Sequence, residues 1–239
     1  MGKVYVLKEP RDKAWNIYAL REAARLKKWY IGTYYSPRLR RLLVAFKPTP
    51  GTHVNHLVFE EMDESILKES YKMVCPPGCG RCCVARSGAF MLDIEVSKLP
   101  LELQLKLETQ PKERILTPGG VVTVYYLGTG PGGRCIFYDV QKRRCMLEEM
   151  YGKEAKPIIC LIEYCTVFAE RNGVKYIKTG YKVTDKGVLI FYRRVSDEEW
   201  EYVVRRMASL AARIAKAERR RRLEERLKGS RVESSARSA

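Results

Sequence analysis

The sequence predicts an α+β fold, in which a small cysteine-rich domain carries a β-meander and is flanked by helices. In the second half of the chain, an Asn-Gly and an Asp-Lys-Gly turn separate runs rich in Val, Tyr and Ile. Helical periodicity begins at Asp12 and again at Ser196. Between these regions, four of the eight cysteines lie within residues 75–83, among Pro and Gly instead of Leu and Val. We therefore expect a metal to nucleate the domain.

Residues 1–50 are expected to form a basic helical extension. Lys3–Leu7 fits a short strand, and a helix should begin at Asp12, because aromatic and apolar residues recur every three or four positions after it. Gly32 stands where the C-terminal cap of that helix belongs. The aromatic residues alternate with Arg and Lys, which fits either a protein core or a nucleic-acid surface. Their helical spacing favours the core.

The rest of this segment has two interpretations. Ser36-Pro37 is typical of a helix start, whereas Leu42–Phe46 fits a strand equally well. Residues 1–47 contain 12 basic and three acidic residues, in a chain whose net charge is +17. A basic surface attracts phosphate backbones and acidic proteins, so we expect a weak polyanion or nucleic-acid contact at this end. The alternative is a solvated charged surface without a partner.

Residues 51–195 are expected to form the cysteine-cluster metal-binding domain with its β-meander. His53 and His56 are expected on the surface, because their spacing suits one metal only in a helix and the residues before them include Pro and Gly. Asp63 should cap a helix that leads the chain towards Cys75. The other predicted elements are strands at 89–92, 121–127, 174–177, 181–184 and 188–192, with helical turns at 93–99 and 101–109.

A glycine-rich run at Gly128–Gly133 formally matches G-x-G-x-x-G after a strand. A nucleotide site would require a helix to begin there, with its N-terminus facing the phosphates. The residues that follow, Arg134–Tyr138, fit a strand instead. We therefore interpret the run as a hairpin loop.

The densest chemical signal is the run that contains Cys75, Cys79, Cys82 and Cys83. Three residues separate the first pair and two separate the second pair, so three thiolates can converge on one centre. The two glycines of the run allow positive φ and let the backbone turn around sulfur. Cys83 is adjacent to Cys82, and adjacent side chains diverge. We therefore expect Cys83 to serve a second site or to approach the first from another side.

The other four cysteines are Cys135, Cys145, Cys160 and Cys165. Long intervals separate them, so they should come from different elements and meet only in the folded protein. All eight cysteines are candidate metal ligands. They can supply either two four-thiolate sites or one cluster with spare ligands.

The metal is expected to be iron, in an iron–sulfur cluster, with zinc as the alternative. Ligation by thiolates alone suits both metals. A structural zinc site usually has two C-x2-C pairs, and only Cys79 and Cys82 have that spacing here. The spacing C-x3-C-x2-C is better known from proteins that bind a 4Fe–4S cluster. Radical adenosyl-methionine enzymes share it, but they prefer an aromatic residue where this chain has Arg81.

Four pieces of the sequence occur in an order that resembles a known family. These are Cys75 to Cys83, Gly133-x-Cys135-Ile-Phe, Cys145, and Lys156-Pro157-x-x-Cys160. They resemble the YkgJ-like cysteine-cluster family, a zinc- or iron-chelating domain whose members are often described as iron–sulfur-cluster-containing proteins. The resemblance covers about residues 75–165. The chain differs from the family pattern in its first cysteine interval, and it has Lys156 and Leu161 where arginine is usual.

The resemblance leaves the activity open. It implies an iron–sulfur or zinc protein, in electron transfer, metal handling or scaffolding. A related cysteine cluster occurs in flagellin lysine N-methylase, which makes a methyltransferase-like enzyme the competing class. A third class is a nucleic-acid-associated protein with a structural metal. The sequence contains no acid–base pair, nucleophile–histidine pattern or convincing phosphate loop that would favour an enzyme.

Residues 196–239 are expected to form a long basic helix and a disordered tail. Ser196 and Glu199 match a capping box, and an apolar stripe runs from Trp200 to Ala217. The segment Arg219–Arg222 follows that stripe and is a second candidate for contact with a polyanion.

The expected location is the cytoplasm, without a membrane contact. The N-terminus lacks the apolar run of a signal peptide, and no stretch approaches the ~18 apolar residues of a membrane span. Clustered cysteines in the cytoplasm bind metal more often than they pair as disulfides. A protein partner is expected, but the sequence does not identify it.

Overall fold

The computed structural model of the chain describes residues 2–85, 89–130, 134–162 and 165–236. It has an α+β fold built from helices and antiparallel sheets. Its strands are β1 (Lys3–Leu7), β2 (Tyr30–Ser36), β3 (Arg41–Phe46), β4 (Phe59–Asp63), β5 (Tyr71–Met73), β6 (Phe90–Leu92), β7 (Lys112–Thr117), β8 (Gly120–Tyr126), β9 (Tyr138–Asp139), β10 (Arg144–Cys145), β11 (Phe168–Arg171), β12 (Val174–Thr184) and β13 (Gly187–Arg194). Its helices are α1 (Lys13–Arg25), α2 (Ser65–Lys68), α3 (Arg81–Ala85), α4 (Asp93–Val96), α5 (Leu101–Glu108), α6 (Met146–Tyr151), α7 (Ile158–Ile162) and α8 (Asp197–Ala236), with short 3-10 turns at Lys27–Trp29 and Lys153–Ala155.

An eight-stranded antiparallel sheet combines strands from both ends of the chain. Its order is β13-β12-β11-β5-β2-β3-β1-β4. The predicted β-meander is confirmed as β11, β12 and β13, joined by the expected turns. Asn172 and Gly173 both have positive φ, as a tight hairpin turn requires. The strands predicted at 174–177 and 181–184 form a single strand, β12, which continues through a register shift between Lys178 and Gly180.

Residues 1–50 differ from the expected helical extension, because they contain one helix and three strands of this sheet. A helix was predicted from Asp12, and α1 begins at the next residue; Asp12 caps it by accepting a hydrogen bond from the backbone N–H of Trp15 at 2.9 Å. Gly32 is not a helix cap. It lies in β2 with φ of 150°, next to a register shift against β3. The helix start at Ser36 is also wrong, and the strand alternative is right, because β2 and β3 pair as a hairpin.

A three-stranded sheet, β6-β8-β7, lies beside the large sheet. The strands at 89–92 and 121–127 and both groups of helical turns are confirmed within one to three residues. Strand β7 was not predicted. The main core joins these parts, since side chains from α1, β3, β8 and α7 form one buried cluster. The aromatic residues of α1, Trp15 and Tyr18, pack against that core, as their spacing indicated.

Two predictions in the middle of the chain need correction. Asp63 accepts a hydrogen bond from the N–H of Ser65 at 2.8 Å, but the N-cap position of α2 is Glu64, and no side chain caps the helix there. Helix α2 is also short, and Tyr71 begins β5. Arg134–Tyr138 is not a strand. Arg134 forms an isolated bridge to Gly130, and a turn follows before β9. That bridge fits the predicted hairpin loop, although residues 131–133 lie outside the described part of the chain.

The C-terminal helix α8 packs on α3, the helix that carries Cys82 and Cys83. Ser196 caps it by accepting from the N–H of Glu199 at 3.2 Å, but the Glu199 carboxylate pairs with Arg193 instead of completing the capping box. The apolar stripe is buried at Trp200, Ala208 and Ala211, and Ala217 is exposed. The helix continues to Ala236, so the disordered tail expected from Gly229 is not observed up to that residue.

None of the helices in the described ranges is both long and apolar enough to span a bilayer.

Candidate metal centre

All eight cysteines line a single cavity. About 1110 Å³ between its walls is free of protein atoms, counting the open solvent at its mouth, and the centre of a water-sized molecule can occupy about 120 Å³ of it. A single water needs only roughly 10–15 Å³ of such space. The structure therefore brings together every thiol that the sequence singled out.

The loop before α3 forms one wall. The N–H of Val74 donates to the carbonyl of Phe168 at 3.1 Å, which fixes the loop to β11. Cys79 then closes a turn by donating its N–H to the carbonyl of Pro76 at 3.3 Å. Gly78 and Gly80 have φ of 76° and 55°. The expectation that these glycines permit positive φ is confirmed.

Gly80 also permits a close approach. A Cβ atom at this position would lie 2.0 Å from the Tyr138 hydroxyl oxygen and 2.7 Å from its Cζ. Tyr138 is buried and lines the cavity. The absence of a side chain at Gly80 thus lets the start of α3 contact the β9 strand.

Helix α3 presents adjacent cysteines in different directions. Successive residues of an α-helix are rotated by about 100°, so the thiols of Cys82 and Cys83 diverge. Backbone bonds hold the helix in place, with the N–H of Val84 donating to the carbonyl of Gly80 at 3.1 Å. The carbonyl of Cys83 accepts from the N–H of Cys135 at 3.0 Å.

The second wall is formed by residues 135–160. Cys145 pairs with Tyr138 across the short β9–β10 ladder, which places it close to Cys135. Asp139 stabilises the intervening turn by accepting from the N–H groups of Gln141 and Lys142. Cys160 lies in the first turn of α7, where its N–H donates to the carbonyl of Pro157 at 2.9 Å.

The eight thiols separate into two groups of four. The Cys75 group consists of Cys75, Cys79, Cys82 and Cys165, and the Cys83 group consists of Cys83, Cys135, Cys145 and Cys160. Burial is the main reason why the pKa of Cys75 is raised, and the neighbouring thiols that raise it further are Cys79, Cys82 and Cys165. Burial also raises the pKa of Cys83, and the thiols that raise it further are Cys135, Cys160 and Cys145.

Apolar packing separates five of the eight cysteines in the same way. Cys79 and Cys165 belong to a cluster with Phe168 and Trp200. Cys135, Cys145 and Cys160 all pack against a different cluster, which includes Leu127, Phe137 and Leu147.

Burial raises the pKa of five of the thiols. Desolvation raises the pKa of Cys135 to about 11 and that of Cys160 to about 12, and it raises the pKa of Cys79 and Cys83 as well. The pKa of Cys75 is also raised, although its side chain is exposed at the cavity opening. Reactive cysteines have the opposite property, a lowered pKa. These five thiols are therefore poor nucleophiles, and a bound metal would have to displace their protons.

Lys156 contributes a positive charge to the same cavity. Its ammonium lies 3.0 Å from the Glu148 carboxylate, and both residues line the cavity. Burial lowers the pKa of Lys156, but the hydrogen bond and charge of Glu148, with smaller effects of Cys75 and Cys145, raise it overall. Lys156 therefore remains charged. It stands at the position where the resembled family usually has arginine.

None of the cysteines forms a disulfide in the described part of the chain. In the described part of the chain, no three Cys, His, Asp or Glu side chains form a group that could hold one metal ion as they stand. His53 and His56 are exposed and do not line the cavity, which confirms them as surface residues.

Sequence reasoning missed Tyr138 and Glu148 as parts of this cavity. Glu148 had one weak signal, its position three residues after Cys145 and eight before Lys156. Tyr138 had none, because its role depends on the approach of Gly80 from a distant part of the chain.

The basic N-terminal segment is largely neutralised. Seven of its basic side chains form ion pairs with carboxylates, namely Lys3, Lys13, Arg25, Lys27, Arg38, Arg41 and Lys47. The contact of this end with a polyanion stays a prediction. So does the contact through Arg219–Arg222, of which only the exposed Arg220 has a described side chain.

Comparison of the chain with models of protein families, with curated proteins and with solved structures gave no match, so the resemblance to the cysteine-cluster family rests on the motifs alone.

Proposed function

We propose that this protein binds iron–sulfur clusters of the 4Fe–4S type through its cysteines and serves in one-electron transfer. The observation that carries the proposal is the convergence of all eight thiols on one cavity. Thiolates are the ligands of such clusters. Among the described residues that line the cavity, none is a histidine and only Glu148 has a carboxylate, which is paired with Lys156.

The arrangement of the thiols suits a cluster. A single zinc ion requires four ligands at about 2.3 Å from one point. A cluster makes a different demand, because each thiolate binds its own iron and the sulfurs surround the cluster instead of meeting at a point. Thiols that line the walls of an open cavity meet this demand.

The surroundings of the thiols suit an electron carrier more than a catalyst that uses cysteine. Raised pKa values make free thiols unreactive at neutral pH. A bound cluster supplies the one-electron chemistry, and the chain supplies burial and the charge of Lys156, both of which set its reduction potential. Unpaired cysteines are typical of a reducing compartment, so a cytoplasmic location belongs to the same proposal.

The test is purification without oxygen, followed by metal and sulfide analysis. We expect brown protein with visible absorption that dithionite bleaches, and iron and acid-labile sulfide in equal amounts. The variant His53→Ala is the matched control, because this exposed metal-binding residue type lies outside the cavity and should leave the iron content unchanged. Colourless protein with stoichiometric zinc would refute the iron–sulfur proposal and leave a zinc site in the same cavity.

A further inference from the structure

The number of clusters follows from how the eight thiols are grouped, provided that the proposed function holds. Cys82 and Cys83 are neighbours in α3, and the helix turns their thiols about 100° apart. Each then belongs to a different group of four. Four thiolates are the full ligand set of one 4Fe–4S cluster, so each group is complete without the other.

Each group is assembled by its own backbone contacts. For the Cys75 group, the bond from Val74 to Phe168 brings the loop that carries Cys75 beside the segment that carries Cys165. For the Cys83 group, the N–H of Cys135 donates to the carbonyl of Cys83. The β9–β10 ladder then adds Cys145 to this group.

The two groups also have separate apolar surroundings. Trp200 of α8 packs with Cys79 and Cys165, whereas Leu127 and Phe137 belong to a cluster that packs with Cys135, Cys145 and Cys160. Lys156, which pairs with Glu148, lines the cavity that the two groups share. The cavity is therefore continuous, but its walls offer two distinct sites.

We infer that the protein holds two 4Fe–4S clusters side by side. The Cys75 group binds one cluster, and the Cys83 group binds the other. Helix α3 contributes one ligand to each, through Cys82 and Cys83, and thereby joins the two sites at adjacent residues.

The first test is the stoichiometry of the anaerobically purified full chain. Two clusters require about eight irons and about eight sulfides per chain, whereas one cluster requires about four of each. After reduction with dithionite, two neighbouring paramagnetic clusters should give an EPR spectrum broadened by their magnetic coupling. About four irons and a simple, uncoupled spectrum in the wild-type chain would overturn the inference but leave the proposed function standing. Absence of iron and sulfide would overturn both.

Paired substitutions test the assignment of ligands. Cys79→Ala with Cys165→Ala removes two ligands from one group and should halve the iron, and Cys135→Ala with Cys145→Ala should do the same for the other. Each should give an uncoupled EPR spectrum. The matched control is the mixed pair, Cys79→Ala with Cys135→Ala, which also removes two thiols but should lose both clusters.

The mixed pair separates the grouping from a general effect of losing two cysteines. If same-group and mixed pairs lose equal amounts of iron, the grouping is wrong. If the variants do not fold, the wild-type stoichiometry and its EPR spectrum still decide between one cluster and two.

Discussion

Replacing Gly80 with alanine should disrupt the metal centre through two separate effects. The backbone at Gly80 has φ of 55°, a conformation that costs an L-residue about 1–2 kcal/mol. The added Cβ would also lie 2.0 Å from the Tyr138 hydroxyl oxygen, so the ring or the helix must move. Overpacking of this kind costs about 1–3 kcal/mol. The sum is about 2–5 kcal/mol.

Gly78 provides a matched control two residues earlier in the same loop. Its φ of 76° carries the same backbone cost, but no atom lies within 4 Å of a Cβ built there. Gly78→Ala should therefore cost only about 1–2 kcal/mol. For a chain of this size, 1 kcal/mol corresponds to roughly 2–4 °C in Tm. We expect a Tm loss of about 2–8 °C for Gly78→Ala and about 4–20 °C for Gly80→Ala.

Calorimetry and iron analysis of the two variants measure this difference. Tyr138→Phe removes the oxygen nearest to the added Cβ, so it should restore part of the stability of Gly80→Ala and none of that of Gly78→Ala. Equal Tm losses in the two glycine variants, or no rescue by Tyr138→Phe, would refute the close contact between Gly80 and Tyr138.

Three further predictions concern buried charges and thiols. Glu95→Gln should lower the free energy of unfolding in urea by about 3–5 kcal/mol, because it leaves the buried ammonium of Lys27, 2.8 Å from the carboxylate, without its opposite charge. Adding Lys27→Met to this variant should recover most of the loss. In protein that contains the cluster, Lys156→Met should lower the reduction potential by about 60 mV or more in a redox titration, because a nearby positive charge stabilises the reduced cluster. Lys156→Arg keeps the charge and should leave the potential unchanged. The free energy of unfolding of the metal-free protein, measured in urea, should fall as the pH rises from about 9 to about 11. The reason is that the thiol pKa is about 9 in the unfolded chain, whereas burial raises the pKa of Cys135 in the folded protein to about 11. Cys135→Ala should weaken this dependence of the free energy of unfolding on pH. The same pH dependence in Cys135→Ala and in the unmodified protein would contradict the prediction.

The sequence was sufficient for elements that local chemistry determines. Asn172-Gly173 gave the correct hairpin, because few other residues adopt positive φ at both turn positions. The strand at Lys3–Leu7 was also correct at residue level, and the start of the first helix was correct within one residue. The cysteine positions predicted a common cavity, since thiols interrupted by Pro and Gly have little use in an ordinary apolar core.

Elements that depend on distant parts of the chain were not predictable in the same way. Gly32 has the local signature of a helix cap, but β3 pairs with the chain there and makes it part of a strand. The same limit applies to the centre. The adjacency of Cys82 and Cys83 predicted that they would diverge, whereas the partners of each depend on contacts such as the bond from Cys135 to Cys83.

Helix α3 explains why metal binding and folding should be a single process in this protein. The helix has five residues, and helices shorter than about 12–15 residues are marginal in water. Packing against α8, including the contact of the Arg81 guanidinium with the Met207 sulfur at 3.8 Å, supports it from one side. On the other side, Cys82 and Cys83 line the open space of the cavity. Metal would replace that space with bonds to both Cys82 and Cys83, so ligand binding would supply the stability that the short helix lacks by itself.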